Sequence, residues 1–392
     1  YQFMENVILF DREPARTGLL PLTFTRPVAD IRVGALTIRQ KWERMLHGTY
    51  SWLTQGYLSV KFGISNPADR SNLFIAGDVL PDPRLVAMIP MLEEGQGVTE
   101  ARSGRLIGCG GWREDVKKAP RQTAPIDVKS VSTVIDVFKL NGDEIRNDFR
   151  ILTDGVASAP ISDTNVVIGD RSQLFVEEGC EIECASFNVK HGPIYIAKGV
   201  EIMEGARLRG PIAIMADSKV KMNTMIYEDT TVGPQCCVAG ELANAVIQGY
   251  SNKAHDGVLL NAVVGEWCNI GAAATSSNLK NNYAKIKVWS YEKKAFVKTD
   301  EQFCGLIMGD YSKLAINTSL TTATTVGVGV TFFGAGFPRT YIPSFSFGSP
   351  LKMTKCSLDE LIDTARIVMS RRHVDLTQAD IDIMTYLYNQ QD

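Results

Sequence analysis

The chain has 392 residues, 45% of them apolar and 22% charged, with a formal net charge of −3. That length suits two or three soluble domains, and no run of about 18 apolar residues occurs, so no membrane span is expected. The faintly acidic balance argues against a broad nucleic-acid binder but leaves local basic pockets for phosphates.

Eight cysteines are present, none in a CxxC pair. Cys180 and Cys184 lack the His/Cys partners that a zinc site needs. Small buried thiols in a reduced cytoplasm are the expectation. Tyr1–Asp11 is too short and too acidic to read as a signal peptide.

In chain order, Asn6–Asp11 reads as a buried strand. A loop with Arg12, Arg16 and Arg26 follows, up to Pro27, and then a helix over Ile31–Leu46. A second strand spans Asn72–Val79, ending at Gly77-Asp78, and Pro83–Leu92 reads as a short helix. This alternation suggests an α/β unit over 1–130. Trp112–Lys129 is a polar connector, and Val131–Phe149 reads as a linking helix within a 131–160 segment.

The strongest pattern comes next. Ile196, Ile202, Leu208, Ile214, Val220, Ile226, Val232 and Val238 recur every sixth residue. The beat returns at Val258, Val264 and Ile270, and again from Met308 through Leu314, Leu320 and Val326 to Phe332. A period of six matches neither a helix nor a half-buried strand. It marks a hexapeptide parallel β-helix, assigned to 161–345, in which each coil points one aliphatic side chain per flat face inward. The beat stops between Asn278 and Cys304, a basic, aromatic stretch read as a loop thrown out from the coils. Residues 346–392 carry two helices, Ser357–Arg372 and Thr377–Asn389, the second capped by Thr377 and Asp380.

Of four histidines, His255 stands apart, because SNKAHDG (251–257) puts polar residues where the repeat wants aliphatics. A histidine titrates near neutrality and can take a proton from an attacking amine. SNKAHDG resembles the SKA-x-H segment of the bifunctional bacterial N-acetylglucosamine-1-phosphate uridylyltransferase / glucosamine-1-phosphate N-acetyltransferase family. WCNIGA (267–272) resembles its NxNIGAG segment, and ARLRG (206–210) its ARLRPG segment.

The resemblance implies a left-handed β-helix, acetyl-CoA as acyl donor, an amino-sugar phosphate as acceptor, and a homotrimer. It makes His255 the general base and Glu241 its support. Arg209 and Asn269 become substrate contacts, with Lys253 and Lys285 as further phosphate ligands. Asn278, Ala273 and Arg339 would meet acetyl-CoA. Lys280, Lys287, Lys293 and Lys294 in the loop are further candidates for its phosphates, or a solvated charge run. Two departures stand out. Ala243 replaces a phosphate-binding lysine of the family, and Val258 replaces a tyrosine.

The N-terminal stretch ILFDREPARTGLLPLTFTRP resembles a shortened Gly-rich loop of nucleotide-sugar pyrophosphorylases, with most glycines absent. That resemblance implies UTP as a partner, Arg16 and Arg26 as nucleotide contacts, and Asp78 as a Mg²⁺ ligand. The main expectation is therefore N-acetylation of glucosamine 1-phosphate by acetyl-CoA in the cytoplasm. The alternatives are a sugar-1-phosphate nucleotidyltransferase with a structural β-helix, and a non-catalytic sugar-nucleotide-binding protein. A β-helix carbonic anhydrase needs three zinc-bound histidines, and only His191 and His255 lie in the repeat region.

Overall fold

The computed structural model describes residues 5–67, 72–111, 121–122 and 125–390. Most of the expected connector, at 112–120 and 123–124, lies outside the described residues. The chain divides into two compact units. One comprises 1–19, 25–31 and 36–133; the other comprises 20–24, 32–35 and 134–392.

The first unit is built on one sheet. Its strands are β1 (Glu5–Phe10), β2 (Gly48–Leu53), β3 (Asn72–Ala76), β4 (Gln96–Thr99), β5 (Leu106–Gly110) and β6 (Arg121–Gln122). Their order is β2-β1-β3-β5-β4-β6. β1 runs parallel to β2 and β3, while β5 is antiparallel to β3 and β4. Because β1 is central, its apolar run is buried on both faces, with Val7, Ile8 and Leu9 at 1% exposure or less. Both anticipated strands are present. β2, β4 and β5 were not anticipated, being short, half-buried or glycine-bearing.

The helix expected over 31–46 covers only Ile38–Met45. Two local features delay its start. Gly34 adopts a left-handed φ of 78°. Thr37 then forms a reciprocal cap, accepting from the Gln40 N–H while the Gln40 side chain accepts from the Thr37 N–H.

The second unit is a parallel β-helix with helices at both ends. The linking segment forms two helices rather than one, Val134–Lys139 and Asn141–Thr153. Asn141 docks the second on the coils, donating to the Asp229 carbonyl at 2.8 Å and to Thr231 Oγ1 at 3.0 Å. One face of the β-helix is a ladder of nine parallel strand segments, from Leu174–Val176 to Tyr341–Ile342. All eight aliphatics of the beat from Ile196 to Val238 are at most 1% exposed. Side chains at corners keep the chain turning: Asp217, Asn223 and Asp229 adopt left-handed φ values near 60°, which Asn and Asp tolerate.

Coil length explains where the beat slips. Ile196 pairs with Ile214 and Leu314 with Phe332, 18 residues on. Val238 pairs with Lys253 after 15, and Asn252 with Asn269 after 17. The shortened coils carry long strands, Glu241–Gly249 and Val258–Glu266, that continue through left-handed corners at Asn244 and Asn261. As a result Val258, expected inward, is half-exposed, and Leu259 fills the slot at 2%. The inserted loop contains a hairpin, Lys287–Ser290 against Ala295–Lys298. Trp289 stacks on Tyr341 at 3.9 Å and anchors the hairpin to the last coils. The C-terminal helices are Leu358–Ser370 and Gln378–Asn389, with the expected Thr377–Asp380 cap in place.

Candidate functional site

The hairpin and the coil corner below it enclose a cleft of about 600 Å³. Lys280 and Lys287 supply cations, Ser277, Thr321, Thr322 and Thr340 hydroxyls, and Phe296 and Phe337 apolar walls. Such a lining suits a ligand that joins phosphates to an apolar body. Two of the five loop lysines noted in the sequence thus face a cleft. Lys285 does not, and its ammonium pairs with the solvent-exposed Asp300 at 3.0 Å. Thr321 and Thr322 went unremarked in the sequence. The signal was there, since they directly follow the inward Leu320 and so turn out of the coil.

His255 sits on an exposed corner between the strands Asn252–Lys253 and Val258–Glu266. Its coil is one step before that of Thr275, whose Oγ1 accepts from the Val258 N–H at 3.4 Å. His255 lines neither this cleft nor a second one of about 730 Å³ near the chain's end. Glu241 is half-buried at the start of its strand, beside Val258 in register. Among the described residues no hydrogen bond or ion pair joins it to His255.

Lys253 turns away from any phosphate. It is 2% exposed, and its Nζ donates to the carbonyls of Ala239 at 3.0 Å and His255 at 2.8 Å. Burial pulls its ammonium down to about 8, against the opposing pull of Asp256. Lys253 therefore faces the coil interior, which corrects its expected role as a substrate ligand.

Arg209 also stands apart from His255. Arg207, Met225, Glu241 and Val258 are successive register partners, so Arg209 lies three coils earlier, about 14 Å at the ~4.8 Å spacing of strands. Its guanidinium pairs with Glu228 at 3.2 Å. Ala243 faces Leu260, so this face carries no cation where the resemblance asks for one. Asn269 is exposed in register with Asn252 and Lys313. The neighbouring Asn252 accepts from Arg372 at 2.6 Å.

Of the expected acyl-donor contacts, Asn278 donates to Asn261 Oδ1 at 2.9 Å and so belongs to a corner ladder. Ala273 is an exposed corner with φ 62°, its N–H held by Asp256. Arg339 lines the second cleft with Lys352 and Lys355.

In the first unit, Asp78 lies at the end of β3 and is 2% exposed. Both its carboxylate oxygens are taken by Arg12, from Nε at 2.8 Å and from Nη2 at 3.0 Å. Arg12 Nη1 meanwhile donates to the Leu106 carbonyl at 2.9 Å. The guanidinium already neutralises this buried carboxylate and takes one lone pair on each oxygen, so a Mg²⁺ ion would have to displace Arg12, and these residues do not fit the expected metal. Among the described residues, no group of three or more His, Cys, Asp or Glu is arranged to hold a metal. Arg16 reaches Tyr57 at 3.3 Å, and Arg26 is 4% exposed. Beside them Asp11 accepts from the Val28 N–H and from Thr54, and burial pushes its carboxyl up to about 6. Among the described residues no helix is long and apolar enough to cross a membrane.

Fold and register together define a hexapeptide β-helix preceded by a sheet domain. Residues 7–157 match a family model described as sugar nucleotidyl transferase. No curated protein matches the chain in sequence. Similar solved structures include the polySia-specific acetyltransferase NeuO, 12% identical over 54% of this chain and 94% of that one, with a TM-score of 0.27. A UDP-N-acetylglucosamine acyltransferase from Francisella novicida is 13% identical over 55% and 74%, with a TM-score of 0.22. The N-acyltransferase AntD from Bacillus cereus, in complex with dTDP and 3-hydroxybutyryl-CoA, is 10% identical over 53% and 91%, with a TM-score of 0.21. At these values the β-helix assignment rests on the strand register of the chain itself.

Proposed function

We propose that the protein is an acetyl-CoA-dependent sugar acyltransferase, with glucosamine 1-phosphate as the first acceptor to test. The observation that carries this reading is the cleft between hairpin and coils, with Lys280 and Lys287 beside hydroxyls and two phenylalanines. The phosphates of coenzyme A would sit by the lysines. The pantetheine arm would run along the Thr275–Ser277 face toward the corner that carries His255. There the imidazole takes a proton from the acceptor amine as its nitrogen bonds to the thioester carbonyl carbon. The carbon–sulfur bond then breaks, and the leaving thiolate takes the proton back from the imidazolium.

Glu241, Asn269 and Arg209 enter this proposal unequally. Glu241 and Asn269 flank the His255 corner, whereas Arg209 reaches an acceptor only if the substrate spans coils or a neighbouring subunit contributes. The expected homotrimer supplies such a neighbour. The match of residues 7–157 supports a second reading, sugar-1-phosphate nucleotidyl transfer from UTP. The closed Arg12–Asp78 pair weighs against it.

The deciding assay follows thiol release from acetyl-CoA with glucosamine 1-phosphate, for wild type and His255→Ala. Loss of a general base should lower turnover by about 10²–10⁴-fold. Equal turnover in the variant would remove His255 from the mechanism. Turnover of UTP without any thiol release would favour the second reading.

A further inference from the structure

Lys253 fills an inward slot of the β-helix. Its register partner one coil earlier, Val238, is fully buried, and the neighbouring slots hold Ile247, Leu259 and Val264. An ammonium there gives up hydration that an aliphatic never had, so the position is costly for stability alone. What it obtains is two carbonyl bonds, and the one to His255 closes across the corner 254–257. The preceding coil leaves room for this. Gly240 has a left-handed φ of 78°, and a Cβ there would lie 2.9 Å from Lys253 Nζ and 3.0 Å from the His255 carbonyl oxygen. Asp256, the carboxylate beside the clamp, is itself held by the Ala273 N–H at 3.2 Å.

We infer that Lys253 is a positioning residue: it clamps the backbone of the exposed His255 corner from inside the coil and so fixes where the imidazole stands. Its catalytic consequence rests on the reading of His255 as the base. The clamp itself does not.

Lys253→Met tests the inference, because it puts an unbranched apolar chain into a slot that neighbouring coils fill with aliphatics. The melting temperature should stay level or rise. Backbone amide exchange over Ala254–Gly257 should quicken. The value of kcat should fall by about 10²-fold, the scale of a small misplacement of a reacting group, with the KM for acetyl-CoA unchanged. Lys253→Gln, which returns a donor without the charge, should recover part of the loss. Wild-type exchange at the corner overturns the inference. So does a melting temperature lowered by several degrees, since Lys253 would then be a brace for the whole coil. Amide exchange is read without substrate. If the wild type releases no thiol, the acyltransfer reading falls while exchange at 254–257 still decides the clamp.

Discussion

Asp11 and Lys253 are buried ionisable groups whose surroundings move them in ways that can be measured. Asp11 is anchored by the Val28 N–H and the Thr54 hydroxyl, yet burial outweighs both and lifts it from 3.8 to about 6. Between those values the folded chain keeps a proton that the unfolded chain has lost. Its contribution to stability is therefore complete below 3.8 and disappears as pH rises through about 6. Wild type should lose on the order of 2 kcal/mol relative to Asp11→Asn over that range. Urea unfolding at a series of pH values would measure it, and parallel curves for the two proteins would refute it. Arg12 and Asp78 illustrate a different limit. Each was visible as a charged residue near a strand end, and neither position implied the other. Only the parallel pairing of β1 and β3 brings residues 66 apart into one bidentate ion pair.

The element that defines the cleft lined by Lys280 and Lys287 is the inserted hairpin. Its hold on the coils comes from Trp289, which stacks on Tyr341 at 3.9 Å and meets Phe296 of the hairpin edge-on at 5.2 Å. Trp289→Ala removes that stacking and lets the wall bearing Lys287 and Phe296 move. The expected result is a KM for acetyl-CoA raised about tenfold, in keeping with ~0.5–1.5 kcal/mol per aromatic pair. An unchanged KM would show that the hairpin does not bind the acyl donor. The shortened coils between Val238 and Asn269 act at the same scale. They displace the repeat by a residue or more, turn Leu259 inward in place of Val258, and bring a lysine to an aliphatic slot.

Across the whole molecule, the β-helix core is a column of buried, mostly aliphatic side chains from Leu174 to Ile342. Outside it the proposed site is incomplete within one chain, since His255, Arg209 and the hairpin cleft do not converge. A homotrimer follows from the acyltransferase reading, and light scattering should then give a mass near three times the 43.1 kDa chain. A monomer with full thiol-release activity would rule out a shared site.

The six-residue beat alone determined the β-helix and the interruption at 278–304. One aliphatic per six residues leaves a chain no other way to bury them together. The caps and breakers likewise marked both C-terminal helices. Tertiary structure decided the polar details, because they depend on which coil stacks on which. A coil of 15 residues instead of 18 sent Lys253 into the core rather than toward a phosphate. Three register steps separated Arg209 from His255 despite the resemblance of their segments. The side-by-side pairing of two parallel strands set their C-terminal ends together and gave Asp78 to Arg12 in place of a metal.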